Sequence, residues 1–181
     1  IKQESIFSLL KSFNKQVDDL SLKLGKKITL NIIGEDLLIQ GSKAQKLKDI
    51  LVHIVRNSID HGIEMPDERI KSGKNEVGAL TLKCLKIKHP NLSFKIDIED
   101  DGQGIDSSKI YQKAVYSGAI KNEEISEQEK LNLIFKPSLS TKEDVTDVSG
   151  RGIGMDAVKD LIGQMGGEIK VSSTYLKGTK F

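Results

Sequence analysis

Between Ser149 and Val158 the chain reads SGRGIGMDAV, with Gly150, Gly152 and Gly154 at alternate positions leading into a helix-like stretch. Glycine lets backbone N–H groups turn toward an anion with no Cβ in the way, and a helix that begins there adds the positive end of its dipole. The pattern suits a nucleotide phosphate. A flexible loop running into a helix start would read the same way, so the glycines alone leave the kind of site open.

A second set of candidates shares one helix. From Lys43 to His61 the spacing puts Leu47, Leu51, Ile54, Val55 and Ser58 on an apolar arc, with His53, Asn57, Asp60 and His61 on the arc beside it. Two histidines, an amide and an acid on one ridge can hold a hydrated Mg²⁺ and touch phosphate oxygens, because Asn supplies a neutral oxygen ligand and His a donor. An ordinary solvated helix face carrying two histidines is the alternative.

Asp100-Asp101-Gly102-Gln103-Gly104-Ile105 stands where a strand ends. An Asp there can accept from an exocyclic amine such as that of adenine, and the glycines let a flat ligand approach the backbone. A plain Asp/Gly turn reads the same way, and the further oxygen ligands of an EF-hand are missing. Lys109 and Lys113, four apart, share a helix face that is either phosphate-directed or simply solvated. Lys136, Ser140, Thr141 and Lys142 lie in a polar loop able to close over a triphosphate, and Gly178-Thr179 offers small residues where a base could lie.

The elements that must position these residues follow from periodicity. Ile6, Leu9, Leu10, Phe13, Val17, Leu20 and Leu24 predict an amphipathic helix over 4–24, ended by Gly25. Ile28–Ile33 reads as a strand, with Leu37–Ile39 as a short partner across Gly34-Glu35-Asp36. Helix 43–61 follows, then a short helix from Pro66 to Lys71. Residues 79–87 and 92–99 alternate as an antiparallel pair. Helices over 107–115 and 127–135, the loop 136–149, a helix over 153–165, a strand over 168–173 and a last strand from Thr179 complete the chain.

Antiparallel pairs with helices between them predict an α+β two-layer sandwich, its sheet mixed but mainly antiparallel and covered on one face by helices. A dinucleotide fingerprint needs a strand immediately before its glycines, whereas a polar loop precedes these. The 181 residues suit one domain, and 28 Lys+Arg interspersed with 26 Asp+Glu give no broad nucleic-acid face. A single cysteine, Cys84, excludes an internal disulfide and fits a reducing, cytoplasmic setting. No apolar run has the length of a membrane span, so direct membrane insertion is not expected. The chain reads as a domain of something longer, one that stops before its final strand.

Four blocks sharpen this. LVHIVRNSIDHGIE (51–64), DDGQGID (100–106), IFKPSLST (134–141) and VTDVSGRGIGMDAVK (145–159) resemble the catalytic domain of CheA-type chemotaxis histidine kinases, within the ATP-binding fold shared by gyrase, Hsp90, histidine kinases and MutL. The resemblance runs from about Ile28 to Phe181, and its last block is the most specific. It implies that Asp100 recognises the adenine amino group, that Gly102 and Gly104 shape the pocket, and that Asn57, with His53, holds Mg²⁺ on the phosphates. It further implies that His53 and His61 contact phosphate oxygens, as do Lys109 and Lys113, that His53 and Lys142 serve the chemical step, and that 136–149, with Ser140 and Thr141, is the ATP lid. Gly150, Gly152 and Gly154 would present amides, Thr179 would line the adenine, and Asp60, Ile105, Arg151, Ile153 and Met155 would complete the pocket.

As function, the resemblance implies transfer of the ATP γ-phosphoryl group to a histidine on a separate phosphotransfer domain and onward to a response regulator. Residues 1–25 would be the tail of a dimerisation region and 26–181 the ATP-binding domain. Pro137-Ser138-Leu139-Ser140-Thr141 lacks the glycine and aromatic usual before the lid, and Ile50 stands where proline is common. A nucleotide-sensing module that binds ATP or ADP without transfer is therefore the alternative. A gyrase or Hsp90-type ATPase would carry a catalytic glutamate on the Asn57 helix, where position 53 is His and position 60 Asp.

Overall fold

The computed structural model describes residues 2–137 and 154–181. Seven strands and seven α-helices lie within them: β1 Gln3–Ser5, α1 Ile6–Lys11, α2 Phe13–Leu24, β2 Ile28–Gly34, β3 Leu38–Gln40, α3 Gly41–Asn57, α4 Pro66–Lys71, β4 Gly78–Lys86, β5 Phe94–Asp100, α5 Ser107–Tyr116, α6 Glu127–Asn132, α7 Met155–Gln164, β6 Ser172–Thr174 and β7 Gly178–Lys180. A five-stranded mixed sheet has the order β2-β4-β5-β7-β6. Only β2 and β4 run parallel; the other three pairings are antiparallel. Along β4, Leu80, Leu82 and Cys84 point into the core and the residues between them do not. One face of the sheet is thus covered by helices, as the alternation predicts.

The core joins that face to Leu51, Ile54, Val55 and Ile59 and to Ile6, Leu10, Phe13 and Val17. The opening helices are therefore packed into the same core as the rest. Burying four such side chains contributes roughly 1.5–3 kcal/mol each before the entropy of ordering them is set against it. The single helix expected over 4–24 is two helices and a strand. The Ser12 hydroxyl donates to the Leu9 carbonyl at 2.6 Å, competing with the helical ladder at the break. Gln3–Ser5 instead pairs antiparallel with β3.

That pairing corrects a second expectation, that Leu37–Ile39 would fold back on the strand before it. Beyond Gly34 the chain stays beside β4, where Glu35 N–H donates to the Cys84 carbonyl at 2.9 Å, and Ile6 N–H then takes the Leu37 carbonyl at 2.8 Å. The strand expected over 168–173 is also shorter. Only Ser172–Thr174 pairs, because the Val171 carbonyl accepts from Gln128 Nε2 and its side chain packs with Leu131 and Phe135. Lastly, the α-helix expected to reach His61 ends at Asn57 and continues as one π-turn, Ser58–Gly62, closed by Ile63 N–H to the Ser58 carbonyl at 2.8 Å. No helix among the described residues is long and apolar enough to cross a membrane.

Candidate nucleotide site

The π-turn and the turn after β5 are built against each other. A Cβ at Gly62 would sit 3.1 Å from Asp100 Oδ2, and one at Gly102 would overlap the Gly62 carbonyl oxygen. Gln103 closes the join, its backbone N–H donating to Gly62 O at 2.8 Å and its Nε2 to His61 O at 2.6 Å. Glycine at 62 and 102 is what allows two backbones to meet over one carboxylate. Single-turn π-bulges recur at functional sites because the extra residue re-aims the side chains after it.

Asp100 is the centre of this arrangement and is only 5% exposed. Its Oδ1 accepts from Gly102 N–H at 2.9 Å, and the Ser58 hydroxyl and Thr179 N–H also donate to it. Burial pushes its carboxyl up to about 6, with the charge of Asp101 adding to the effect and the three hydrogen bonds opposing it. A buried acceptor held by fixed donors at a strand end has the chemistry to receive an amine. Thr179 lies opposite Asp100 in the ladder, is itself buried, and its hydroxyl is 3.0 Å from Ser173 Oγ. Ser173 Oγ also accepts from Ile105 N–H at 2.8 Å. Gly104, at φ 70°, lies under the β6–β7 hairpin, where a Cβ would overlap the Thr174 carbonyl oxygen.

Asn57 ends α3 immediately before the π-turn, and His53 lies one helical turn earlier. Asn57 is exposed, and its Nδ2 is 3.5 Å from the sulfur of Met155, the first residue of α7. That contact joins the Asn57 ridge to the helix start that follows the glycine triplet, with Gly154 as the N-cap. Burial and the nearby Arg56 lower the His53 imidazole below its usual value, which favours the neutral ring. His61 Nε2 lies 3.5 Å from Asp60 Oδ2. Lys109 and Lys113 both stand exposed on α5, whose start is capped by Asp106. Ser140, Thr141, Lys142, Gly150, Arg151, Gly152 and Ile153 lie outside the described residues.

Several supporting groups escaped the sequence reading. Lys26 donates from Nζ to the carbonyls of Ile59 and Asp60, both at 2.7 Å, and so holds the π-turn from the end of α2. Arg69, 1% exposed, joins Glu64 and Asp101. Glu64, Arg69 and Lys74 are five apart, a spacing with no helix or strand period. Ser58 was legible only as a member of the apolar arc.

Residues 42–181 match the family described as histidine kinase-, DNA gyrase B-, and HSP90-like ATPases. The chain belongs to this ATPase family. It is 42% identical over 185 residues to the chemotaxis protein CheA of Salmonella typhimurium, covering 98% of this chain and 27% of that protein. It is 40% identical over 181 residues to the sensor histidine kinase CheAY of Helicobacter pylori, covering 98% of this chain and 22% of that one. The chain thus spans about a quarter of the length of these curated relatives.

Solved structures agree on the ATPase-family fold. A mycobacterial sensor histidine kinase, MprB, superposes with a TM-score of 0.61 at 13% identity, covering 99% of this chain and 93% of that one. The catalytic domain of the histidine kinase ThkA gives 0.61 at 16% identity, covering 99% and 91%.

Proposed function

We propose that this domain binds ATP with Mg²⁺ and transfers the γ-phosphoryl group to a histidine on a separate phosphotransfer domain, from which it passes to a response regulator. The observation that carries the reading is the buried carboxylate of Asp100, aimed from a strand end under Gly62 and fixed by Gly102, Ser58 and Thr179. Membership of the ATPase family and the identity to CheA proteins over nearly the whole chain point the same way.

In this reading Asp100 accepts the adenine amino group, Gly102 and Gly104 admit the flat base, and Thr179 lines the pocket. His53, Asn57, Asp60 and His61 line the phosphate end, with Ile105 and Met155 beside them. Lys109 and Lys113 approach the phosphates from α5. Among the described residues no group of three or more His, Cys, Asp or Glu could cage a cation, which fits an ion held mainly by the nucleotide, with Asn57 as the neutral oxygen ligand and His53 beside it. Held there, Mg²⁺ would supply positive charge against the negative charge of the phosphoryl oxygens. His53, kept neutral, donates to a phosphate oxygen without adding charge. The phosphate-end roles expected of Ser140, Thr141, Lys142, Gly150, Arg151, Gly152 and Ile153 fall outside the described residues, and Gly154 N-caps α7 next to Met155.

In this reading the protein works in the cytoplasm, pairs with a second copy, and has no nucleic-acid partner. Mixing the purified chain with a histidine phosphotransfer domain and ATP labelled on the γ-phosphate tests the reading. Label on the histidine supports it; tight ATP binding with no transfer under any tested pairing replaces it with a nucleotide sensor.

A further inference from the structure

The turn that presents Asp100 has few sheet bonds of its own. After Asp100 the backbone keeps one strand-like contact, Asp101 N–H to the Ala79 carbonyl at 3.2 Å. Its two following carbonyls are held by side chains instead. Lys74 Nζ donates to Asp101 O at 3.0 Å and to Gly102 O at 2.7 Å. Arg69 Nη1 reaches Asp101 O at 3.2 Å, and Arg69 Nη2 meets Asp101 Oδ2 at 2.9 Å. The other carboxylate oxygen of Asp101 accepts from Ala79 N–H at 2.9 Å.

The same two cations hold the other wall. Glu64, two residues past the π-turn, takes Arg69 Nη1 at 3.0 Å and Lys74 Nζ at 2.7 Å. Arg69 Nε is spent on the Asn75 carbonyl at 2.7 Å. Arg69 therefore uses all three of its guanidinium nitrogens on three separate segments, which an ammonium cannot reproduce. Two acids and two bases close this cluster with no charge left over, as a buried ionic group requires. Its hydrogen bonds run to backbone and side chains of both walls, Glu64 on one and Asp101 and Gly102 on the other.

We infer that Arg69 and Lys74 form a positioning pair that locks the Asp100 carboxylate and the Gly62–Gly102 contact into the geometry that selects adenine. The inference rests on the proposed adenine contact at Asp100. Adenine presents an amine donor where guanine presents a carbonyl acceptor, so the ratio of ATP to GTP affinity reads the placement of Asp100. A loss of folded protein lowers both affinities equally and leaves the ratio alone.

The test is competition of ATP and GTP against a fluorescent ADP on the purified chain, with circular dichroism to set the folded fraction. Arg69→Lys is expected to weaken ATP at least ten-fold while GTP changes less than two-fold. Lys74→Met, at a half-buried position, is expected to lower the ratio at least three-fold, and it decides the matter if the Arg69 variant does not fold. An unchanged ratio in the folded variants overturns the inference while leaving the nucleotide site standing. A wild-type chain that binds ATP and GTP alike overturns both the adenine contact and the assignment built on it.

Discussion

The backbone of Gly102 rests on the carbonyl of Gly62, with no room between them for a Cβ. This contact makes the π-turn and the Asp100 turn one unit, so a methyl group at 102 must push apart the two walls of the site. Gly102→Ala should therefore lower stability by about 2–4 kcal/mol and weaken nucleotide binding at least ten-fold. Gly163, inside α7 with open space around it, is the contrasting case. Gly163→Ala should raise stability by roughly 0.5–1 kcal/mol through helix propensity alone. Urea unfolding of both variants checks the pair.

Asp100 gives the domain a pH dependence of calculable sign. Its carboxyl is raised from 3.8 to about 6 on folding, so between those values the folded state holds more protons than the unfolded state and stability falls as pH rises. This penalty is absent below the unfolded value and complete above the folded one, on the order of 3 kcal/mol at most. Asp100→Asn removes the titration. The stability of the variant relative to wild type should rise between pH 4 and pH 6 and then level off, as measured by thermal unfolding across that range.

Much of this site was legible because short-range chemistry announces it. The DDGQG run lies at a strand end, and alternation over 79–87 and 92–99 places that end correctly. The Asn57 ridge follows from helical spacing. What stayed hidden was set by contacts across the chain. The π-turn depends on Lys26, more than thirty residues earlier, reaching two carbonyls. Strand β3 pairs with residues before the first helix because Gly34 keeps the chain beside β4 instead of turning it back. The Glu64–Arg69–Asp101 cluster has no period in sequence at all.

Lys26 offers a direct test of the π-turn. Burial lowers its ammonium below the usual range, against the pull of Asp60, Glu68 and Glu64, and its Nζ donors serve both carbonyls. Lys26→Met leaves the carbonyls of Ile59 and Asp60 without this partner and should cost roughly 1.5–3 kcal/mol. Faster amide hydrogen exchange confined to 58–63 would locate the effect, and unchanged exchange there would contradict it.

Asn57 is exposed, so Asn57→Asp should change the stability of the free protein by no more than about 0.5 kcal/mol. In the proposed site the added charge would face the phosphates, and nucleotide binding should weaken about ten-fold with an altered Mg²⁺ requirement. Superimposable Mg²⁺ titrations of the two proteins would remove Asn57 from the metal site.

In the proposed site a single carboxylate, Asp100, receives adenine. Calorimetric titration of ATP with Mg²⁺ into the chain and into its Asp100→Asn variant, at pH 7.5 and with both folded, tests it most directly. The wild-type chain should take up one nucleotide and the variant should show no measurable binding. Equal affinity in the two proteins would contradict it.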